Sequence, residues 1–299
     1  MYNHNEERRK YMNAQMMIAL ITPYKEDMSI DEEALKTIIH HCQKQGSDGF
    51  VVCGTTGESC FLKDEEKLKI LEIVLSCVKS EEVWMGIGTN CTESTLNFLD
   101  KIKDYPITGV MAVVPYYVKP SQMGLYEHFS KIAEATDKQV MIYNVPKRCS
   151  CALEAETLVK LANKYSNIQA YKHADNDLTH IADILASTDH LRIYSGEDEQ
   201  LLEGLEVGMN GIISVIGHIY GDEISKLILE SQCGIKNQNL INRIKHAANC
   251  IMNEGNPSGI KAACSMMGLC NNTLRLPLTC VSESAREQIN ICLKNDKKI

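Results

Sequence analysis

The sequence predicts an α/β chain folded as a (β/α)8 TIM barrel with a C-terminal helical extension. Three observations carry this expectation. Short apolar runs alternate with helical patterns through about 210 residues, which implies parallel pairing with right-handed crossovers. The apolar runs are nearly continuous rather than alternating, as strands covered on both faces require. A doubly wound sheet would want a Gly-rich phosphate loop early in the chain, and none is present.

Eight strand candidates follow in order at 17–22, 49–53, 83–88, 109–114, 139–143, 168–172, 191–195 and 211–215. Between them, amphipathic segments at 31–45, 64–78, 92–103, 121–136, 154–165, 175–186 and 197–207 read as helices. Asp31 and Asp64 stand where helix caps are expected, just before apolar-periodic runs. The run Leu158-Val159 and Leu161-Ala162 has helical spacing. Past residue 215 the pattern is helical only, at 222–231, 237–253, 258–267 and 282–294. The first of these can close the barrel. The expected organisation is a polar tail over 1–15, a barrel over 16–235, and a helical region over 236–299 packed on the barrel and too small for much core of its own.

Composition narrows the function classes. A net charge of −8 leaves no basic stripe to neutralise phosphates, so nucleic-acid binding is not expected. The Arg8-Arg9-Lys10 cluster follows Glu6-Glu7 and reads as a solvated tail. No apolar stretch is long enough to cross a bilayer, and the polar start lacks a signal core, so neither membrane insertion nor export is expected. The 13 cysteines are odd in number and form no Cys-x-x-Cys pair, which suggests neither a disulfide framework nor a zinc knuckle. Cys149-Ser150-Cys151 is the closest pair, and its spacing suits a tetrahedral metal poorly. Reduced cysteines packing as small apolar side chains point to a cytoplasmic protein.

Chemistry is expected at Lys172. It ends the apolar run 168–172, where burial would strip the ammonium of water and lower its pKa. A neutral amine can condense with a ketone to form a Schiff base. Barrel enzymes place their chemistry at the C-terminal ends of strands. Reading those ends in order gives Thr55-Thr56, Pro115-Tyr116-Tyr117, Tyr143, Arg148, Lys172, Gly196 and Ile213. Each has an ordinary reading alone: a turn, a packed ring, a solvated guanidinium, a lysine already in water. Together they supply an amine, phenols for proton transfer, and hydroxyls and N–H groups for a carboxylate.

Gly54-Thr55-Thr56-Gly57-Glu58-Ser59, Pro115-Tyr116-Tyr117, Tyr143-Asn144-Val145-Pro146 and Lys172 resemble the signatures of the dihydrodipicolinate synthase / N-acetylneuraminate lyase family. The segment 211–215, Asn256-Pro257 and the segment 273–279 extend the resemblance from about residue 16 to the end of the chain. It implies a (β/α)8 barrel with C-terminal helices, usually a homotetramer, that condenses or cleaves pyruvate adducts with no metal or organic cofactor. By position, Lys172 is the Schiff-base lysine, Tyr143 the proton-transferring phenol, and Thr55 the relay between Tyr143 and Tyr117. The synthases pass that last tyrosine across a subunit interface. Thr56 binds the pyruvate carboxylate with the backbone of Ile213, and Gly196 belongs to the same substrate-binding set. Arg148 resembles the synthase arginine that holds the carboxylate of aspartate 4-semialdehyde. The sialate lyases lack it, so it favours the synthase branch over a sister aldolase, lyase or dehydratase. A non-catalytic small-molecule sensor on the same scaffold is the alternative from another class, disfavoured because a sensor needs no proton relay.

Two departures stand out. His173 replaces the usual acidic residue after the lysine, and Cys149-Ser150 replaces Thr-Gly after the arginine. A serine there strains the loop if the position needs a positive φ. The resemblance also implies a lysine effector cleft, of which Ser59, Asn90 and Tyr116 are kept. Ser94 stands where regulated synthases have a glutamate, and Lys67 where they often have a histidine, so feedback is expected to be weak or absent.

Overall fold

The structure is a computed structural model that describes residues 14–79 and 82–299. The expected tail and its Arg8-Arg9-Lys10 cluster lie outside the described residues, apart from the last two tail positions. In chain order the elements are β1 (Gln15–Ala19), α1 (Glu32–Lys44), β2 (Gly49–Val52), α2 (Asp64–Cys77), β3 (Val83–Gly86), α3 (Thr92–Lys101), β4 (Gly109–Val113), α4 (Gln122–Glu134), β5 (Gln139–Asn144), α5 (Pro146–Cys149), α6 (Ala155–Lys164), β6 (Ile168–His173), α7 (Ile181–Ser187), β7 (Arg192–Ser195), α8 (Leu201–Glu206), β8 (Gly211–Ser214), α9 (Gly217–Gln232), α10 (Gln238–Met252), α11 (Ser258–Met266) and α12 (Glu283–Asn295). The short 3-10 turns Ser59–Phe61 and Asp198–Gln200 lie between them. The strands close into a barrel in the order β1 to β8, with parallel pairing. This is the architecture that the alternation of apolar runs predicts.

The chain divides into two compact units. One comprises residues 84–213 with Ala14 and Gln15, the other residues 16–79 and 82–83 with 214–299. In the first, β4, β5, β6 and β7 lie side by side, and their apolar side chains are almost wholly buried. A β-bulge shifts the β5–β6 register, so that Val140 faces Ile168 but Met141 faces Ala170. The extra residue, Gln169, bonds back to Ser166 O through its amide. Without it Tyr143 would face Tyr171; with it Tyr143 faces Lys172.

In the second unit, α1 is capped by Asp31, whose carboxylate accepts from Ala34 N at 3.1 Å. The expected cap at Asp64 is displaced by one residue. Lys63 occupies the cap position, its N–H donates to Glu66 Oε2 at 2.9 Å, and Asp64 is the first helical residue. Three other helix starts differ from the apolar pattern; the one expected from 197 begins at Leu201, behind the 3-10 turn Asp198–Gln200. The helix expected from 175 begins at Ile181, because Asp175 and Asp177 bond to the backbone N–H groups of Asn176 and Thr179 and hold the segment as turns. The helix expected from 222 begins at Gly217, whose N–H is taken by Ser214 Oγ at 2.8 Å, and it kinks at Tyr220. Among the described residues, no helix is long and apolar enough to cross a membrane.

Candidate active site

Lys172 occupies the fifth position of β6 and is 6% exposed. The strand alternation that buries Ala170 turns Lys172 to the same face two residues on. Its Nζ lies 4.5 Å from the centroid of the Tyr143 ring, its cross-strand neighbour. Burial pushes the Lys172 pKa down to about 8, and the Arg148 guanidinium pushes the same way, while the carboxylates of Glu197 and Asp198 oppose it. A neutral fraction on the order of a tenth at pH 7, far above that of an ordinary lysine, makes this amine a nucleophile. Burial also raises the Glu197 carboxyl, against the pull of Lys147.

Gly196 follows β7 directly, beside the lysine. A Cβ at this position would stand 2.9 Å from Lys172 Cε and 2.8 Å from Ala174 Cβ, so only glycine leaves the lysine stem its channel. Tyr194, the cross-strand partner of Lys172 on β7, is fully buried. Ile213 lies at the end of β8 and is fully buried.

Asn144 braces the end of β5. Its amide nitrogen donates to Tyr171 Oη at 2.9 Å and to Leu153 O at 3.3 Å, and its oxygen accepts from Leu153 N at 3.0 Å. His173 sits behind this brace, its Nδ1 3.5 Å from Tyr171 Oη. Burial lowers the His173 pKa, which keeps the ring neutral where an acidic residue was expected from the resemblance.

The next segment forms a one-turn helix, α5, opened by Pro146 and carrying Lys147 and Arg148 on its exposed side. Ser150 terminates it at φ 57°, ψ 21°, in the left-handed region. The position therefore does need a positive φ, and serine adopts it. The turn is tied to the Pro115-Tyr116-Tyr117 loop through sulfur. Cys149 Sγ donates to Val114 O and Cys151 Sγ to Pro115 O, both at 3.2 Å, and Tyr117 N donates to Cys149 O at 3.4 Å. Tyr117 has φ 75° and is 86% exposed, an unusual setting for a tyrosine within one chain.

Thr55 and Thr56 belong to the other unit, in the loop after β2. Thr56 is buried, and its Oγ1 accepts from Asn256 Nδ2 at 2.9 Å. Gly57 lets the loop pass close to β1, since a Cβ there would meet Leu20 O at 3.0 Å. Glu58, at φ 58°, is held by a buried ion pair with Lys261, whose Nζ also donates to Thr273 O at 2.8 Å. Arg275 N donates to Glu58 Oε2 at 3.2 Å. Lys261 Nζ and the Arg275 guanidinium both lie against the Tyr24 ring, 4.2 and 4.5 Å from its centroid.

The structure thus brings Tyr143, Lys172 and Gly196 into direct proximity, with Arg148 acting on the lysine electrostatically and with Tyr117 on the loop tied to the Arg148 turn. Ile213 closes the same unit at β8. Sequence reasoning passed over Asn144 as a brace, Glu197 and Asp198 as the charges facing the amine, and the support of Thr56 and Glu58 by Asn256 and Lys261. Glu197-Asp198 directly after a strand-end glycine was the readable signal. The others join residues up to 203 apart in sequence and leave no local trace.

Residues 12–296 match the sequence profile of the dihydrodipicolinate synthetase family. The 4-hydroxy-tetrahydrodipicolinate synthase of Chlorobium phaeovibrioides is 39% identical over 280 residues, covering 92% of this chain and 94% of its own. Among solved structures, dihydrodipicolinate synthase from Bacillus anthracis superposes with a TM-score of 0.91 at 34% identity, over 94% of this chain and 98% of that one. DHDPS from Cyanidioschyzon merolae, solved with lysine bound, does so with a TM-score of 0.92 at 33% identity, over 96% and 99%. With the barrel, the strand-end lysine and near-complete coverage in agreement, the chain belongs to the dihydrodipicolinate synthetase family.

Proposed function

We propose that this protein condenses pyruvate with L-aspartate 4-semialdehyde to give 4-hydroxy-tetrahydrodipicolinate, a step of lysine and diaminopimelate biosynthesis. The observation that carries the reading is the buried, pKa-lowered amine of Lys172 against the Tyr143 phenol, in a chain whose relatives bear that synthase name.

Neutral Lys172 attacks the ketone carbon of pyruvate. The carbinolamine loses water to an imine, with Tyr143 passing protons to and from the oxygen. The protonated imine is the electron sink, so loss of a methyl proton gives an enamine and no metal or organic cofactor is needed. The enamine carbon attacks the aldehyde of the semialdehyde. The amine of that substrate then displaces Lys172 from the imine carbon, which closes the ring and frees the enzyme.

Thr56, steadied by Asn256, binds the pyruvate carboxylate with help from the Ile213 backbone, and Gly196 keeps the space beside the reacting amine. Arg148 grips the carboxylate of the semialdehyde from its one-turn helix. Thr55 and Tyr117 carry protons out of the site. The exposed ring of Tyr117 fits a homo-oligomer, a tetramer by resemblance, in which that tyrosine serves a neighbouring subunit. A cytoplasmic setting accords with the substrates and with the free thiols of this chain.

Borohydride added with pyruvate is expected to leave a reduced adduct on Lys172 and abolish turnover, and Lys172→Ala to give no adduct. Steady-state assay with pyruvate and aspartate semialdehyde tests the second substrate. Adduct on another lysine, or cleavage of sialic acid without semialdehyde turnover, would sink the assignment.

A further inference from the structure

The C-terminal helices carry a cluster that the mechanism above does not use. His246 and Cys250 are one helical turn apart on α10, so their side chains share a face. Cys292 on α12 meets them there. The three ligand atoms lie within 4.8 Å of one another, with His246 exposed, Cys250 half-buried and Cys292 buried. We propose that His246, Cys250 and Cys292 form a binding site for a thiophilic divalent cation, zinc in the first instance, with water in the fourth position.

The His246–Cys250 pair already spans one edge of a tetrahedral site, and Cys292 would close in from within 4.8 Å on binding. A zinc ion holding imidazole nitrogen at about 2.05 Å and thiolate sulfur at about 2.3 Å separates the two donors by roughly 3.6 Å. His246 Nε2 and Cys250 Sγ are 3.6 Å apart. The pattern His-x3-Cys on one helix face with a cysteine from a facing helix is set by rigid elements rather than by a loop. This pair of helix-borne donors is why no Cys-x-x-Cys spacing announces it in the sequence.

The surroundings suit a metal as well. Cys292 Sγ lies 3.6 Å from Tyr220 Oη and 4.0 Å from Asp296 Oδ2, and the Tyr220 hydroxyl is itself fixed on Asp296 at 2.8 Å. Asp296 Oδ1 is ion-paired with Arg243 Nε, 3.1 Å away, and that guanidinium is also balanced by Glu223 at 3.0 Å. The cation of Arg243 is therefore neutralised by its own partners rather than opposing an ion beside His246. The exposed histidine leaves an entry path from solvent, and the buried cysteine a dry end. A bound ion would clamp α10 to α12, the last element of the chain. Binding replaces the two thiol protons by the metal, so each ion taken up releases protons to buffer.

The test uses full-length protein, stripped by a chelator and kept reduced with a phosphine, and titrated with Co2+ as a spectroscopic probe. One Co2+ per chain is expected, with intense tetrahedral d–d bands and thiolate-to-cobalt charge transfer, both lost on adding Zn2+. Zn2+ is expected to raise Tm. Cys250→Ser and His246→Ala are expected to weaken Co2+ binding at least tenfold and alter the bands. Cys233→Ser, at an exposed cysteine outside the cluster, is the control and is expected to change neither. Both test variants lie at the accessible end of the site, so they remain readable even if Cys292→Ser does not fold. Weak octahedral-type absorption, or tetrahedral bands that persist in Cys250→Ser and His246→Ala, would overturn the proposal.

Discussion

Lys172 shows how much a single side chain can set against the fold that holds it. Its pKa falls from an ordinary 10.5 to about 8 because burial disfavours the ammonium. A depressed pKa in a base means that the unfolded chain binds more protons than the native one between pH 8 and 10.5. Stability therefore carries the full cost below pH 8 and recovers as pH rises through that window. Lys172→Met is expected to abolish turnover yet raise stability at pH 7 by an amount on the order of 2 kcal/mol, with the gain shrinking toward pH 10.5. Thermal melts of both proteins across that range check the sign. The rate of borohydride trapping by pyruvate should rise with pH and level off above about 8. Arg148 makes a second case at this scale. Losing a forked guanidinium from a carboxylate removes about 1.5–3 kcal/mol. Arg148→Ala is thus expected to raise KM for aspartate semialdehyde roughly ten- to a hundredfold while leaving KM for pyruvate nearly unchanged. Equal effects on both constants would remove Arg148 from the recognition of the second substrate.

The elements were legible to differing degrees, for physical reasons. Every strand of the barrel was visible as an apolar run, since strands buried on both faces carry continuous hydrophobicity. Lys172 was visible because a charge at the end of such a run contradicts its surroundings. The one-turn helix α5 was not visible: four residues are too few for a period, and Pro146 alone marks only a start. The delayed start of α7 was hidden because Asp and Asn at 175–177 offer the backbone turns in place of helix. The bulge at Gln169, which sets Lys172 opposite Tyr143, comes from strand register and leaves no signature in composition. At the end of α5, Ser150 keeps a left-handed backbone that costs a non-glycine residue about 1 kcal/mol. Ser150→Gly is expected to stabilise the protein by roughly 0.5–1 kcal/mol. The measurement is a shift of the urea midpoint at unchanged slope.

At the scale of the whole molecule, Tyr117 sets the expectation. Its phenol is 86% exposed in the single chain, so the proposed proton relay through it calls for a neighbouring subunit. Tyr117→Phe is expected to lose most turnover and still trap pyruvate. Mixed with Lys172→Ala subunits, it is expected to regain part of the activity, because one class of hybrid site is then intact. A fully active monomer would contradict this. Regulation belongs to the same scale. Ser94 is exposed and carries no charge, and Lys67 pairs with Asp64 at 3.6 Å. Losing the carboxylate partner of an effector ammonium costs about 2–5 kcal/mol. Turnover is accordingly expected to persist with L-lysine at tens of millimolar, and strong inhibition at or below a millimolar would show a working effector cleft.

The thiol hydrogen bonds from Cys149 and Cys151 have a consequence for how such a catalyst ages. A sulfur that is oxidised or alkylated no longer donates its proton, so the strut between the tyrosine loop and the arginine turn depends on the redox poise around it. Oxidant damage at these sulfurs would reach Arg148 before it reached the β6 amine. An oxygen-stressed enzyme would go on taking up pyruvate and lose its partner aldehyde first. On the proposed mechanism, such a protein would be arrested with its first substrate held as a dead-end imine, a catalyst sequestering the metabolite it was meant to pass on.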